Sequence, residues 1–204
     1  MLDFLAFLGF GYFMKPRFIL LLVLLTMVGG ATAWRIINPN KRTEISLESL
    51  NVRAAPEFQL LDQNNRPIQL KGYVGRYRVF LYFFEASQGP DADPVLQRLR
   101  EVYTVLKRSH VMVFAISSPL GPDHKPKALS YPFPILRDTL AGQKGSCTAN
   151  WGRAKSVSGA SAPSPVEPAA FLIEADGLVS WGEEFPRPVD DPLALINAIV
   201  SGQK

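Results

Sequence analysis

Cysteine and histidine are almost missing from this chain of 204 residues, which contains one cysteine and two histidines. A single thiol excludes an intrachain disulfide, a thiolate-rich zinc site and an iron–sulfur cluster. The two histidines, His110 and His124, are not grouped with each other or with acidic residues in the sequence. We therefore predict neither a metal site nor another cofactor.

The chain also lacks a strong excess of charge of either sign. It carries 22 basic and 18 acidic side chains, for a net charge of +4, and the basic residues are scattered. Without a stripe of lysine and arginine interleaved with aromatic residues, a nucleic-acid partner is not expected. The hydrophobic share of 47% is typical of a globular protein, and the length suits one domain with an appendage.

Residues 1–37 are predicted to be an N-terminal hydrophobic signal or anchor segment. Lys15 and Arg17 precede an apolar run over residues 18–28, which small residues follow. With the residues after it, the run is long enough for a retained transmembrane helix of about twenty residues. Alternatively, it is the core of a secretory signal that is cleaved after Ala33. A helix packed in the protein core is the third alternative. The first two predict an extracytoplasmic domain, anchored to the membrane in the first case and secreted in the second.

Met14 favours the signal interpretation, because a chain that starts there has a basic, an apolar and a small-residue part in the order of a secretory signal. Residues 1–13 would then precede the true start or form a second membrane-seeking piece. For an anchor, Lys15 and Arg17 favour a cytoplasmic N-terminus. Basic residues at 35, 41 and 42 follow the apolar run, however, and weaken that bias.

Behind this segment, residues 38–53 are polar and are predicted to be a linker, and residues 54–204 are predicted to be the folded domain. Residues 139–166 are small, polar and rich in proline toward their end, which predicts an irregular insertion.

The remaining pattern predicts a mixed α/β fold. Two short strands flank a turn near residues 62–67, and a continuous apolar run, "YRVFLYFF", is typical of a strand covered on both faces. Asp93 and Pro94 are good start residues for a helix with apolar residues at helical spacing. "VMVFAIS" predicts another buried strand, and a hairpin around Asp176-Gly177 precedes a last helix that Asp191 caps. This order predicts a parallel sheet centre, an antiparallel hairpin at the end, and helices on both sides.

Four motifs in this order resemble the peroxiredoxin-like branch of the thioredoxin superfamily, which includes the alkyl hydroperoxide reductase / thiol-specific antioxidant (AhpC/TSA) family. They are "APEFQLLDQ" with the following turn, "VFLYFF", "YPFPILRD" and "PAAFLIEADG". The resemblance covers roughly residues 54–200 of the chain. It implies a redoxin domain with the thioredoxin-like fold, a three-layer α/β/α sandwich around a mixed central sheet.

The loop between the first long strand and its helix departs from the family pattern. In the superfamily that loop carries Cys-x-x-Cys or a single peroxidatic cysteine, activated by the helix N-terminus. Here "SQGPD" retains Gly89 and Pro90, but Gln88 stands at the first cysteine position and Asp91 at the second. The resemblance thus implies a degenerate active-site loop, and no shift of the register supplies a thiol.

The resemblance also implies a cis-proline facing this loop, and Pro168 stands in the matching place before the strand "AAFLI". The resemblance then implies that Glu167 joins Gln88 and Asp91 in one surface patch, which is a candidate binding site. Cys147, outside the loop, is the remaining candidate for thiol chemistry.

Three functional hypotheses remain open. The preferred one is a membrane-associated, non-catalytic module that binds or assembles with a protein partner. The second is a thiol-dependent peroxidase or oxidoreductase that uses Cys147 as its sole thiol, with a partner supplying the other sulfur. The third is an exported small-molecule binder with its pocket over Gln88 and Glu167.

Overall fold

A computed structural model of the protein describes residues 51–154 and 165–202, which contain eight β-strands and four α-helices. The strands are β1 Val52–Ala54, β2 Gln59–Leu61, β3 Pro67–Gln69, β4 Arg78–Phe83, β5 Val111–Ser117, β6 Ile135–Arg137, β7 Ala169–Ile173 and β8 Leu178–Ser180. The helices are α1 Pro94–Arg108, α2 Lys125–Ala128, α3 Cys147–Asn150 and α4 Pro192–Ser201. Two 3-10 turns occupy Leu70–Gly72 and Pro90–Ala92.

Six strands form one mixed sheet in the order β3-β2-β6-β5-β4-β7. The three central strands, β6, β5 and β4, run parallel, while β7 pairs antiparallel with β4 and the β2–β3 hairpin lies at the other side. This arrangement confirms the predicted mixed sheet with a parallel centre. β1 and β8 form a separate antiparallel pair.

Both faces of the sheet are buried, because β4 and β5 are apolar at nearly every position. Phe80 and Tyr82 of β4 pack on one face with residues of α1 and α4, whereas Leu81 and Phe83 pack on the other face. This alternation follows from the two-residue period of a strand. A central strand covered on both sides therefore has no polar face, as the continuous apolar run predicted.

The two layers outside the sheet differ in composition. Both long helices, α1 and α4, pack on the Phe80 face. Within the described residues, α3, the turn Leu70–Gly72 and neighbouring segments contribute to the core on the opposite face. A helix does lie on each side, as predicted, but α3 has only four residues and forms little more than one turn.

Helix starts follow the predicted capping signals. The Asp93 carboxylate accepts hydrogen bonds from the N–H groups of Val95 and Leu96, and Pro94 occupies the first turn. At α4, the Asp191 carboxylate accepts one bond from the N–H of Ala194. Each cap satisfies backbone donors that have no partner inside the helix.

Two boundaries differ from the prediction. β1 begins at Val52, inside the predicted linker, because residues 52–54 pair with β8. The predicted insertion at 139–166 contains α3 and an antiparallel bridge between Ala154 and Val166. Its residues 155–164 lie outside the described residues.

The predicted signal or anchor segment, residues 1–37, also lies outside the described residues. None of the helices in the described ranges reaches the length and hydrophobicity that a bilayer-spanning segment requires.

Candidate functional site

The loop that follows β4 connects the sheet to α1 in three steps. A turn at residues 86–88 is closed by the N–H of Gly89, which donates to the carbonyl of Ala86 over 3.2 Å. The 3-10 turn Pro90–Ala92 follows, and Asp93 then begins the helix. Ser87 and Gln88 are exposed at the tip, whereas Gly89 and Pro90 are buried.

Gly89 fixes the contact between this loop and α2. Its φ of +75° lies in the left-handed region that glycine tolerates best. A Cβ atom at this position would lie 2.3 Å from Nδ1 of His124, the residue that precedes α2. Since no real Cβ atom approaches a ring that closely, the loop and His124 pack together only because residue 89 has no side chain.

Asp91 is held by neighbours of the loop. The Tyr131 hydroxyl lies 2.8 Å from the carbonyl oxygen of Pro90 and 3.1 Å from Oδ1 of Asp91, so both can accept its proton. Arg100 lies over the Tyr131 ring and 3.8 Å from the same carboxylate oxygen. Burial, and then the bond to Asp91, raises the pKa of Tyr131 to about 12. Asp91 therefore accepts hydrogen bonds within a structural network.

Asp93 has two roles in the same network. Its Oδ1 caps α1, and its Oδ2 accepts a 2.8 Å hydrogen bond from the hydroxyl of Tyr82 on β4. Burial raises the pKa of Tyr82 well above its usual range, and the negative charge of Asp93 adds to the shift. A buried phenol needs such an acceptor, so one carboxylate links strand, loop and helix.

Removing the Asp93 carboxylate should therefore cost more than a helix cap alone. We expect Asp93→Ala to lower the free energy of unfolding by about 2–3 kcal/mol, combining the lost cap with an unpaired Tyr82 hydroxyl. Urea denaturation followed by circular dichroism measures this change.

Two variants provide the controls for Asp93→Ala. Asp191→Ala removes a cap with a single bond at an exposed site and should cost about 1 kcal/mol. In the Tyr82→Phe background the effect of Asp93→Ala should shrink, because no hydroxyl is left unpaired. Equal costs for the two aspartates would contradict the double role of Asp93.

The cis-proline expectation at Pro168 is wrong, because none of the described peptide bonds is cis. The trans form is the intrinsic preference of an X–Pro bond. The position of Pro168 nevertheless agrees with the resemblance. Ala169 pairs with Phe83, the last residue of β4, so Pro168 lies at the end of the sheet where the loop after β4 begins.

Glu167 takes part in a different set of contacts from those of Asp91. Its N–H donates to the carbonyl of Arg153, and its carboxylate lies 3.5 Å from the Arg153 guanidinium. Among the described residues, no hydrogen bond or ion pair joins Glu167 to Gln88 or Asp91. The patch of these three residues stays a prediction.

Cys147 is buried on the second face of the sheet, with 6% of its surface exposed. It begins α3, directly after the capping residue Ser146. A helix start favours a thiolate, but α3 is short and the surroundings oppose ionisation. Burial raises the pKa of the Cys147 thiol well above its usual range, and the nearby Asp138 carboxylate raises it further.

Sequence reasoning missed four residues that build this loop: Tyr82, Arg100, His124 and Tyr131. Tyr82 belongs to a predicted strand and Tyr131 to the motif "YPFPILRD", but nothing local indicates that their hydroxyls reach the loop. Within the described ranges, no group of three His, Cys, Asp or Glu side chains is placed so that it could hold a metal ion.

The order of strands, the two-faced sheet and the strand–loop–helix unit define a thioredoxin-like α/β domain. The sequence profile of the AhpC/TSA family matches residues 52–181, more than half of the chain, and the protein belongs to this family.

Curated relatives match over part of their length. The chloroplastic peroxiredoxin Q of Arabidopsis thaliana is 34% identical over 101 residues, 49% of this chain and 45% of that protein. Alkyl hydroperoxide reductase E of Mycobacterium tuberculosis is 36% identical over 92 residues, 44% of this chain and 60% of that protein. The chain thus spans about half the length of the curated relatives it matches.

Solved structures agree on the fold. Peroxidoxin BcpB from Mycobacterium tuberculosis superposes with a TM-score of 0.57 at 20% identity, covering 76% of this chain and 97% of that one. Peroxiredoxin Q from Xanthomonas campestris gives 0.52 at 15% identity, covering 71% and 88%. At these identities the likeness supports the fold alone.

Proposed function

We propose that this protein is a redoxin-fold module that binds or assembles with a protein partner and does not reduce peroxides. The observation that carries the proposal is the loop after β4, where Gln88 and Asp91 stand in place of the family's thiols. The amide of Gln88 is not a nucleophile, and the Asp91 carboxylate accepts the Tyr131 hydroxyl. Neither side chain can exchange with a disulfide or attack a peroxide.

The only thiol of the chain is poorly placed for the family's chemistry. A peroxidatic cysteine reacts as a thiolate, which requires access and a lowered pKa. Cys147 is buried, and its pKa is raised. Both conditions argue against Cys147 as a substitute nucleophile in the native state.

The proposal includes attachment to a membrane through residues 1–37, with the domain on the extracytoplasmic side. It rests on the apolar run at 18–28 with basic residues before it. A domain held at a membrane and lacking its own chemistry suits an accessory role beside another protein.

A peroxidase that uses Cys147 is the second candidate, because the relatives include proteins named peroxiredoxin Q and alkyl hydroperoxide reductase E. In that reaction the Cys147 thiolate attacks the peroxide and becomes a sulfenic acid, and the alcohol leaves. Two equivalents of an external thiol then restore Cys147 and form a disulfide and water. Local opening around α3 would be needed to expose the sulfur.

The two candidates are separated by peroxide turnover in the full chain, purified from the membrane fraction in mild detergent. With hydrogen peroxide or an alkyl hydroperoxide and excess dithiothreitol, we expect no consumption above the rate without protein. The matched control is Cys147→Ser, which should give the same trace, and an active peroxiredoxin verifies the assay. Turnover that disappears in Cys147→Ser would refute the non-catalytic proposal.

The same preparation tests the membrane attachment. The protein should stay in the membrane pellet through a carbonate wash and enter solution with detergent. Release by carbonate alone would contradict a spanning anchor while leaving the peroxide result unaffected.

A further inference from the structure

A cavity of about 540 Å³ lies where α2, β6, the turn between β2 and β3, and the ends of β2 and β5 meet. Its lining includes Leu61, Asp62, Lys125, Leu129 and Arg137. The volume falls in the range of sites that hold small organic ligands. None of the lining residues belongs to the loop at 85–93, so the cavity is a separate place from that loop. One lining residue, Leu136, also belongs to the buried cluster that contains Cys147.

Two leucines of the cavity lining are exposed to solvent. Leu129 is 57% exposed and Leu61 is 37% exposed, and both line the cavity. Exposed leucines that gather around one hollow, unlike scattered ones, are typical of a binding surface.

Two cationic side chains stand beside this apolar surface. Lys125 and Arg137 line the cavity, and neither forms an ion pair with an acidic side chain in the part of the chain that the structure describes. Arg137 donates to the side-chain oxygen of Asn65, which still leaves donors of its guanidinium for another partner.

Asp62 is the one acidic residue of the lining, and it is turned inward. It is 6% exposed, and its Oδ1 accepts 2.8 Å hydrogen bonds from the N–H groups of Asn64 and Arg66. Its charge is thus held by the β2–β3 turn. The charges of the lining side chains sum to one positive charge, with both cations nearer to solvent than the carboxylate.

We propose that this cavity binds a small carboxylate with an apolar chain, such as a free fatty acid. The chain would lie against Leu61 and Leu129, and the carboxylate would accept hydrogen bonds from Lys125 and Arg137. Arginine matches a carboxylate with two parallel donors, and lysine adds a point charge. The proposal goes beyond the non-catalytic role and holds whether or not Cys147 reacts.

Titration of the full chain with decanoate, below the concentration at which it forms micelles, tests the proposal by isothermal calorimetry. We expect saturable binding of one decanoate per chain. Decanol, with the same chain and no charge, should bind at least about tenfold more weakly, because it cannot form the charge-assisted bonds. Equal affinity for the two probes, or binding that does not saturate, would overturn the proposal.

Variants assign the site. Lys125→Gln and Arg137→Gln should each weaken decanoate binding by about tenfold and leave decanol binding unchanged. Leu129→Asp should weaken both probes. Lys127→Gln removes an exposed charge from the same helix, outside the lining, and should leave decanoate binding unchanged.

An effect of Lys127→Gln as large as that of Lys125→Gln would instead mean non-specific attraction and would overturn the site. Circular dichroism of each variant verifies that it is folded. Because peroxide turnover is not measured here, failure of this experiment is distinct from failure of the proposed function.

Discussion

Replacing Trp151 by alanine is expected to lower the free energy of unfolding by about 3–5 kcal/mol, the largest effect of any single substitution considered for this domain. Trp151 is fully buried on the second face of the sheet. Its ring centroid lies 4.8 Å from that of Phe171 and 6.0 Å from that of Phe83, so alanine would leave a cavity on the face of the sheet, over β4 and β7. Urea denaturation followed by far-ultraviolet circular dichroism measures the loss.

Trp151→Phe is the matched control. It retains most of the packing and removes an indole N–H that has no hydrogen-bond partner among the described residues. Because removal of this N–H breaks no hydrogen bond, we expect Trp151→Phe to lower the free energy of unfolding by about 1–2 kcal/mol, much less than Trp151→Ala. If Trp151→Ala lowered the free energy of unfolding no more than Trp151→Phe does, the cavity would have to collapse or fill with water, against the packing described.

The thiol of Cys147 is expected to react with iodoacetamide about a thousandfold more slowly in the native protein than in the unfolded chain. Alkylation requires a thiolate that the reagent can reach. Burial blocks access, and the raised pKa makes the thiolate scarce. Mass spectrometry of samples quenched over time gives both rates without an activity assay.

The control for this measurement is the same protein in concentrated guanidinium, where Cys147 should react as a free thiol. Trp151→Ala should also speed native alkylation, because Cys147 and Trp151 belong to the same buried cluster and a less stable core opens more often. Rapid alkylation of the native wild-type protein would favour Cys147 as a working thiol.

Local signals explain why much of the fold could be predicted. β4 and β5 are continuous apolar runs, and a strand buried on both faces has this pattern whatever its neighbours are. The start of α1 is marked by Asp93 and Pro94, whose effects on the backbone operate within three residues. The hairpin at Asp176-Gly177 follows from turn chemistry of the same short range.

The features that were missed depend on contacts between distant parts of the chain. α2 lies in a loop rich in glycine and proline, so its four residues have no periodicity to detect. The Tyr131 hydroxyl reaches Pro90 across 41 positions of sequence. The cavity next to α2 is a space between elements, and neither its volume nor its charges can be derived before those elements are placed.

The candidate site shows the same division. Residue types alone established that Gln88 and Asp91 cannot replace a thiol. What Asp91 and Asp93 do instead became visible only with Tyr131 and Tyr82 in place. The cis expectation at Pro168 came from the resemblance and failed, because a proline in the family position does not by itself fix the isomer.

The helix α2 lies between the cavity and the loop after β4. Lys125 and Ala128 of α2 line the cavity, while His124, immediately before α2, packs against Gly89 of the loop. A ligand that displaces α2 must therefore also disturb the imidazole ring. With only two histidines in the chain, the ring protons of His124 give a nuclear magnetic resonance signal that is simple to assign and senses the cavity from the side of the loop.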